Sequence, residues 1–427
     1  MTIRRALASF AFSVLGLLAW VSCGGSGEPS QPPAKPSITS FTASPTTIEA
    51  GGSSLLAWSI ADADTASIDP EVGTVTGNSI TVAPSQTMTY TLTASNSAGT
   101  VTATAQVIVT PPINPNPALV YNWFKSVQLP NGLVPSSEGT DNSYSVSLYD
   151  QALSVMAFLA MEDPGRAEKI LDFFNGRVDS ELKAGKGGYW QFRPNSGVPA
   201  KVGSKWLGDN VYFLAAIYNY QHQTGDTSRY AAMRDALQNW ILGLQDSDGG
   251  LFSGYQADDS LNTLKVTEGN IDAFGAIPGY TAFHAKILAF FKNQRWDSTD
   301  HMLISWVGSP SWKYACDNVS WAYCAIETFP ESTLQFAEGH FVTTKTTTKN
   351  KATLTGFCFD ADLDTIHLEA CMSMTAAYGL AGNAAKASHY LAEAEKTMLP
   401  GLTDSSTRGL PYATNRVFPA SVRERIA

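Results

Sequence analysis

The stretch WLGDNVYFLAAIYNYQHQTGD, residues 206–226, decides how the chain is read. Val211, Leu214, Ala215 and Tyr218 recur at helical spacing, which predicts a helix over 206–223 with one apolar face. Gly225-Asp226 turns the chain, and a second helical run returns over 228–244. The loop Gln245-Asp246-Ser247-Asp248-Gly249-Gly250 ends the pair. An equivalent pair lies upstream. Leu148, Ala152, Val155, Met156 and Leu159 form one face over 147–161, Asp163-Pro164-Gly165 breaks it, and 166–174 follows. Further helical runs are expected near 270–292, 317–328, 365–380 and 383–398. Helix pairs joined by short turns, with Gly-rich loops between them, describe stacked α-hairpins, and a stack of this size can close into an α/α toroid. The expectation for 113–427 is therefore an all-α domain.

Residues 37–112 read differently. They contain no Lys, Arg or Cys and are rich in Thr, Ser, Val and Ala. Short alternating runs surround Phe41, Trp58, Ile80, Tyr90 and Val107, punctuated by Gly, Pro, Asn and Asp. Even spacing of such runs predicts a small all-β antiparallel sandwich with Trp58 and Tyr90 in its core. SFTASPTTIEAGGSSLLAWSI and TMTYTLTASNSAGTVTATAQVIV resemble a bacterial immunoglobulin-like module. That resemblance implies a spacer, with glycan binding as the alternative.

Before this domain, Arg4 and Arg5 precede an apolar run from Ala6 to Val21, the pattern of a secretory signal. The run ends at Val21-Ser22-Cys23-Gly24, which resembles a bacterial lipobox and implies diacylglycerol on Cys23. Residues 1–23 are read as signal and lipobox. Residues 24–36 are read as a Gly-, Ser- and Pro-rich tether that cannot build a core. The expected location is the cell envelope, held by a lipid, at the outer membrane if the cell is Gram-negative.

Composition narrows the chemistry. A net charge of -10 over 427 residues argues against nucleic acid, which needs clustered Lys and Arg. Besides Cys23 the cysteines are Cys316, Cys324, Cys358 and Cys371. On one helix, Cys316 and Cys324 would stand about 12 Å apart, too far for a disulfide. Pairing with Cys358 or Cys371, or four free thiols, both remain open. No CxxC or HExxH pattern occurs, so neither a metal site nor a cofactor is expected.

The segments YDQALSVMAFLAMEDPGRAEKILDFF, WLGDNVYFLAAIYNYQHQTGD, LQDSDGGLFSGY, KVTEGNIDAF and GFCFDADLDTIHLEACMSMTAAYGLAG, in that order, resemble the six-hairpin (α/α)6 toroid glycosidase superfamily. The resemblance implies glycoside hydrolases for the most part, with some polysaccharide lyases and sugar epimerases. Two departures stand out. The chain ends RVFPASVRERIA without a long apolar face where a closing helix belongs, so the toroid is expected to be incomplete. Gly279 to Phe291 also looks short for a helix pair.

Hydrolysis of a glycosidic bond wants two carboxyl groups flanking it. In a toroid the inner-helix N-termini ring a central cleft, so acids at helix starts are the candidates. Asp150 and Asp209 open helical runs, although both also suit a plain helix start. Glu268 and Asp272 stand four apart, on one helix face, where like charges repel. Tyr149, Trp190, Trp206, Asn210 and Trp321 are the candidate sugar-binding residues. Glu138, in a Ser-Glu-Gly, is a weaker acid candidate. Asp360, Asp362 and Asp364 alternate before Glu369, where calcium is conceivable but capping by Asp364 fits better. Lys205, Lys265 or Arg193 would favour an acidic sugar. The leading expectation is an exported hydrolase acting on a polysaccharide or oligosaccharide. Its rivals are a non-catalytic glycan-binding or adhesive lipoprotein, and a toroid lyase or epimerase using a Tyr or His base.

Overall fold

The computed structural model describes residues 33–49, 52–110, 116–138, 145–198, 203–305, 307, 313–411 and 413–414. The signal, Cys23 and most of the tether lie outside the described residues, as do 415–427, where the closing helix was sought. The chain divides into two compact units, Met1–Asn114 and Pro115–Ala427.

The first unit holds β1 (Ser37–Ser44), β2 (Thr47–Glu49), β3 (Ser54–Ala61), β4 (Thr65–Asp69), β5 (Gly73–Thr74), β6 (Ser79–Val82), β7 (Met88–Asn96) and β8 (Gly99–Thr110). One sheet has the order β1-β3-β6, the other β2-β8-β7-β4-β5. All pairings are antiparallel except β2 with β8. Leu56 and Trp58 from the first sheet meet Ile68, Tyr90, Leu92 and Val107 from the second in a single apolar core. The alternation read in the sequence is what points these side chains to one face.

The second unit is built from α1 (Asn116–Val127), α2 (Leu148–Ala160), α3 (Pro164–Asn175), α4 (Leu207–Thr224), α5 (Ala231–Leu242), α6 (Thr267–Ala276), α7 (Ala282–Phe290), α8 (Cys316–Ala325), α9 (Ser332–Phe341), α10 (Leu368–Leu380) and α11 (Ala384–Glu395). Helices α2, α4, α6, α8 and α10 pack side by side in that order as an inner layer, and α3, α5, α7, α9 and α11 return outside them. The run expected over 270–292 is two helices, separated where Gly279 takes a left-handed φ of 80°. Fully buried Phe174, Tyr189 and Phe213 meet edge-on or tilted between the layers, with ring centroids 4.5 to 5.8 Å apart. Burying a side chain of this size contributes roughly 1.5–3 kcal/mol.

The expectation of an all-α second domain is corrected by the strands it contains. Val342–Thr346 pairs with Thr353–Phe357 as a five-residue hairpin ladder. Val146–Ser147 pairs with Phe192–Arg193, and Lys205–Trp206 joins Gly254–Tyr255 and Leu261–Asn262. Trp296–Asp297 pairs with Met302–Leu303, and Leu399–Pro400 with Arg408–Gly409. The unit is a helical double layer laced by small antiparallel ribbons. Two ribbons run directly into inner helices: Ser147 precedes α2 and Trp206 precedes α4. They fix where those helices begin. At Gly254, φ is +107° and a Cβ would lie 2.0 Å from the Lys205 carbonyl oxygen, so only glycine lets the ribbon close.

Candidate active site

Each inner helix opens on an acid. Asp150 lies in the first turn of α2, Asp209 of α4, Glu268 of α6, Asp317 of α8 and Glu369 of α10. A helix N-terminus favours a carboxylate, but one such acid on each of five neighbouring helices also gathers them at one end of the layer. Asp272, one turn into α6, joins them. Its Oδ2 lies 3.5 Å from where a Cβ on Gly208 would stand, so α6 and α4 approach closely there.

An amide device sets the register of these helix starts. Gln151 accepts from the Val134 N–H and donates to its carbonyl. Asn210 does the same at Tyr189, and Asn270 at Leu251. Each clamped residue sits two positions after a glycine with positive φ: Gly132, Gly187 and Gly249. The three amides are buried, and each takes up backbone groups that would otherwise lack partners.

The acids share a secluded, cation-poor setting. Asp209 and Asp317 are buried, whereas Asp150, Glu268, Asp272 and Glu369 keep part of their surface exposed. Among the described residues, none of the six forms an ion pair. Burial pushes the Asp209 carboxyl up to about 8, helped by the charge of Asp150 and eased by a hydrogen bond with Gln191. Burial, then the charges of Asp317, Asp272, Glu369 and Asp209, hold Glu268 well above the usual carboxylate range. Burial, then Asp317, Glu369 and Asp209, do the same to Asp272. Asp317 rises to about 7 through burial, opposed by the Asn318 N–H that donates to it at 2.6 Å. Burial raises Glu369, and the Tyr149 hydroxyl, which donates to its Oε1, pulls it back. Burial raises Asp150 against a 2.6 Å hydrogen bond from the Ser147 hydroxyl. Asp209 Oδ2 and Asp272 Oδ2 are buried and have no hydrogen-bond partner among the described residues.

Aromatic rings border the acids. Tyr149 meets Tyr212 edge-on with centroids 4.6 Å apart, and Tyr212 lies 5.6 Å from Trp321. Trp206 stands at the N-cap of α4, half-buried beside Gly208.

The geometry thus brings together Asp150, Asp209, Glu268, Asp272, Tyr149 and Trp321. Sequence reasoning passed over Asp317 and gave Glu369 no role. Both could have been found from the repeated acid in the first helical turn, and Asp317-Asn318 repeats the Asp209-Asn210 pair. Other candidates are spent elsewhere. Both Asn210 amide hydrogens go to the Tyr189 and Trp206 carbonyls, so this residue clamps the backbone and has no N–H left for a sugar. Trp190 is buried, its ring centroid lies 5.0 Å from the Lys205 ammonium, and its backbone N–H donates to Glu181. Glu138 accepts from the backbone of Leu402 and Thr403 and from the Thr403 hydroxyl. Asp360 and Asp362 accept from the N–H groups of Asp362 and Asp364, and His367 rather than Asp364 stands at the N-cap of α10. Among the described residues, no three or more His, Cys, Asp or Glu side chains are grouped to hold a metal ion. Cys316, Cys324, Cys358 and Cys371 are free thiols.

No protein-family model matches the chain, and no curated protein matches it by sequence. Solved structures do match. An α-amylase from Clostridium perfringens aligns at 8% identity with a TM-score of 0.53, covering 69% of this chain and 92% of that one. A cellobiose 2-epimerase from Spirochaeta thermophila aligns at 13% identity and 0.51, covering 71% and 90%. A family 76 glycoside hydrolase from a bovine Bacteroides thetaiotaomicron strain aligns at 12% identity and 0.48, covering 85% and 89%. The likeness to the first two is one of fold alone.

Proposed function

We propose that the acid ring is the active site of a glycan-processing enzyme, a glycoside hydrolase. The observation that carries this reading is the convergence of six carboxyl groups without a counter-charge, each held above its ordinary pKa. Burying like charges together is costly. A fold gains nothing in stability from it, and such tuning marks acid–base chemistry. Glu268 or Asp272, each raised well above the usual carboxylate range by burial and the neighbouring acids, donates a proton to the glycosidic oxygen as the bond to the anomeric carbon breaks. Asp317 or Glu369 accepts a proton from the water that attacks that carbon, or attacks it directly before water does. The products are a shortened glycan and a new reducing end. Asp150 acts at one remove, through its charge on Asp209. Tyr149, Tyr212 and Trp321 offer ring faces to the sugar.

Incubation of the chain with neutral and acidic polysaccharides, with new reducing ends counted, tests the reading. Release that falls sharply in Glu268→Gln supports it, and binding without release sinks it. One observation favours a lyase or epimerase as a second reading. His367 stands at the start of α10, and burial lowers its pKa to about 4, leaving the neutral imidazole such a base requires. An unsaturated product absorbing in the ultraviolet, or an epimerised sugar without cleavage, would favour it.

The signal-like run Ala6 to Val21 and the lipobox-like Val21-Ser22-Cys23-Gly24 support a lipid anchor on Cys23 in the cell envelope, with the β-unit as an immunoglobulin-like spacer. Labelling with a radioactive fatty acid, lost in Cys23→Ser, tests the anchor.

A further inference from the structure

The proposed active site has an unusual charge inventory, and the inference drawn from it rests on the glycan-processing reading. Six carboxyl groups converge from five helices, and none has an ion-pair partner among the described residues. Asp209 is only 8% exposed, lies within the charge influence of Asp150, Glu268 and Asp272, and leaves Oδ2 without a partner among the described residues. A buried, bare carboxyl oxygen is completed by a donor, and a cationic donor, which favours the ionised carboxylate, completes it best.

The cations that would greet an acidic sugar are engaged elsewhere. Arg193 is fully buried and holds Glu181 at 2.7 Å. Lys205 is paired with Asp259 at 3.3 Å, and its ammonium lies 5.0 Å from the Trp190 ring centroid. Lys265 is gripped by Asp246 at 2.6 Å and Asp248 at 2.7 Å. A uronic acid entering the ring would bring a negative charge among buried carboxyls whose own ionisation that charge disfavours, with none of these three cations free to meet it. A protonated amine would instead favour that ionisation and draw protons off the carboxyl groups into solvent.

We infer that the acid ring selects its glycan by charge, taking sugars that bear a free amine in preference to neutral ones and rejecting uronic acids. The selection is made most strongly at Asp209 on α4 and Asp317 on α8, where the carboxyls are buried and an approaching charge is least screened by water.

The test is equilibrium binding by calorimetry, on the full chain at neutral pH and low salt. The ligands are linkage-matched trimers of glucose, glucosamine and glucuronic acid, in β-1,4 and α-1,4 series. The glucosamine trimer should bind at least tenfold tighter than the glucuronic acid trimer, with release of protons seen as a buffer-dependent enthalpy. That advantage should shrink severalfold in Asp209→Asn and in Asp317→Asn. It should survive in Asp235→Asn, which removes the same charge from an exposed site. Equal or tighter binding of the uronic acid trimer overturns the inference. So does an advantage no smaller in the two ring variants than in Asp235→Asn, and so does failure of every trimer to bind. Discrimination without new reducing ends would sink the hydrolase reading and keep the charge selection. Cleavage without discrimination would do the reverse.

Discussion

The Tyr149 hydroxyl donates a hydrogen bond to Glu369 Oε1, joining the first turn of α2 to the first turn of α10 across 220 residues of sequence. Burial, aided by the charge of Glu369, raises the phenol far above its usual range, so it donates at every pH at which the protein works. It therefore favours the ionised form of Glu369. In Tyr149→Phe the Glu369 pKa should rise. If Glu369 acts as an ionised base, the acid limb of the pH–rate profile shifts to higher pH and kcat at pH 6 falls by roughly tenfold or more. A profile of unchanged shape, lowered evenly, would mean that Tyr149 only packs.

Stability should fall as pH rises. Asp209 and Asp317 sit at about 8 and about 7 in the folded chain, against about 3.9 when unfolded. Between those values the folded state holds protons that the unfolded state has released. The stabilisation is therefore complete below about pH 4 and is lost as pH rises through 7 and 8, at up to about 1.4 kcal/mol per pH unit for each group. Thermal unfolding should give a lower Tm at pH 8.5 than at pH 6. Asp209→Asn should flatten this decline and raise Tm at pH 8.5, trading activity for stability. A wild-type Tm that climbs from pH 6 to 8.5 would show that these carboxyls are not held protonated.

Most of the helices were legible in the sequence, but α1, α9 and the ribbons were not. The apolar faces of 147–161 and 206–223 carry helical periodicity over many residues, and Gly225-Asp226 marks a turn by its own chemistry. By contrast, Lys205–Trp206 and Gly254–Tyr255 are two residues long, too short to show any period, and their pairing depends on the left-handed Gly254. The hairpin Val342–Thr346 with Thr353–Phe357 is longer and Thr-rich, a pattern that suits strands, and it was passed over. Asp150, Asp209, Glu268 and Asp272 stood out because each opens or lies within an amphipathic run. Asp317 and Glu369 follow Cys316 and Leu368, where only the recurrence of the acid from helix to helix marks them.

The amide clamps should be individually costly. Asn270→Ala strips the Leu251 N–H and carbonyl of their side-chain partner inside the core, which costs about 1–3 kcal/mol. Gly249→Ala should cost at least as much, since φ is +95° and the new Cβ would lie 2.2 Å from the Lys286 carbonyl oxygen. Urea unfolding of each variant measures both. Loss of less than about 0.5 kcal/mol in either would mean that the loop relaxes freely.

The buried pair of Arg193 and Glu181 gives a sharper stability test. Arg193 is fully buried, and Glu181 also accepts from the Trp190 N–H. Glu181→Gln leaves the guanidinium without its counter-charge and should destabilise by about 3–5 kcal/mol. Denaturant midpoints compared with wild type decide it, and an unchanged midpoint would show that the arginine is neutralised by other groups.

The central claim is that carboxyls at the inner-helix starts carry out hydrolysis, and turnover in paired variants tests it most directly. New reducing ends are counted for wild type, Glu268→Gln, Asp317→Asn and the surface control Asp235→Asn, all verified as folded, on a panel of polysaccharides. The expected result is release by wild type and Asp235→Asn, reduced by a factor of about 100 or more in the two ring variants. Undiminished release in both ring variants, or no release by folded wild type from any glycan, would contradict it.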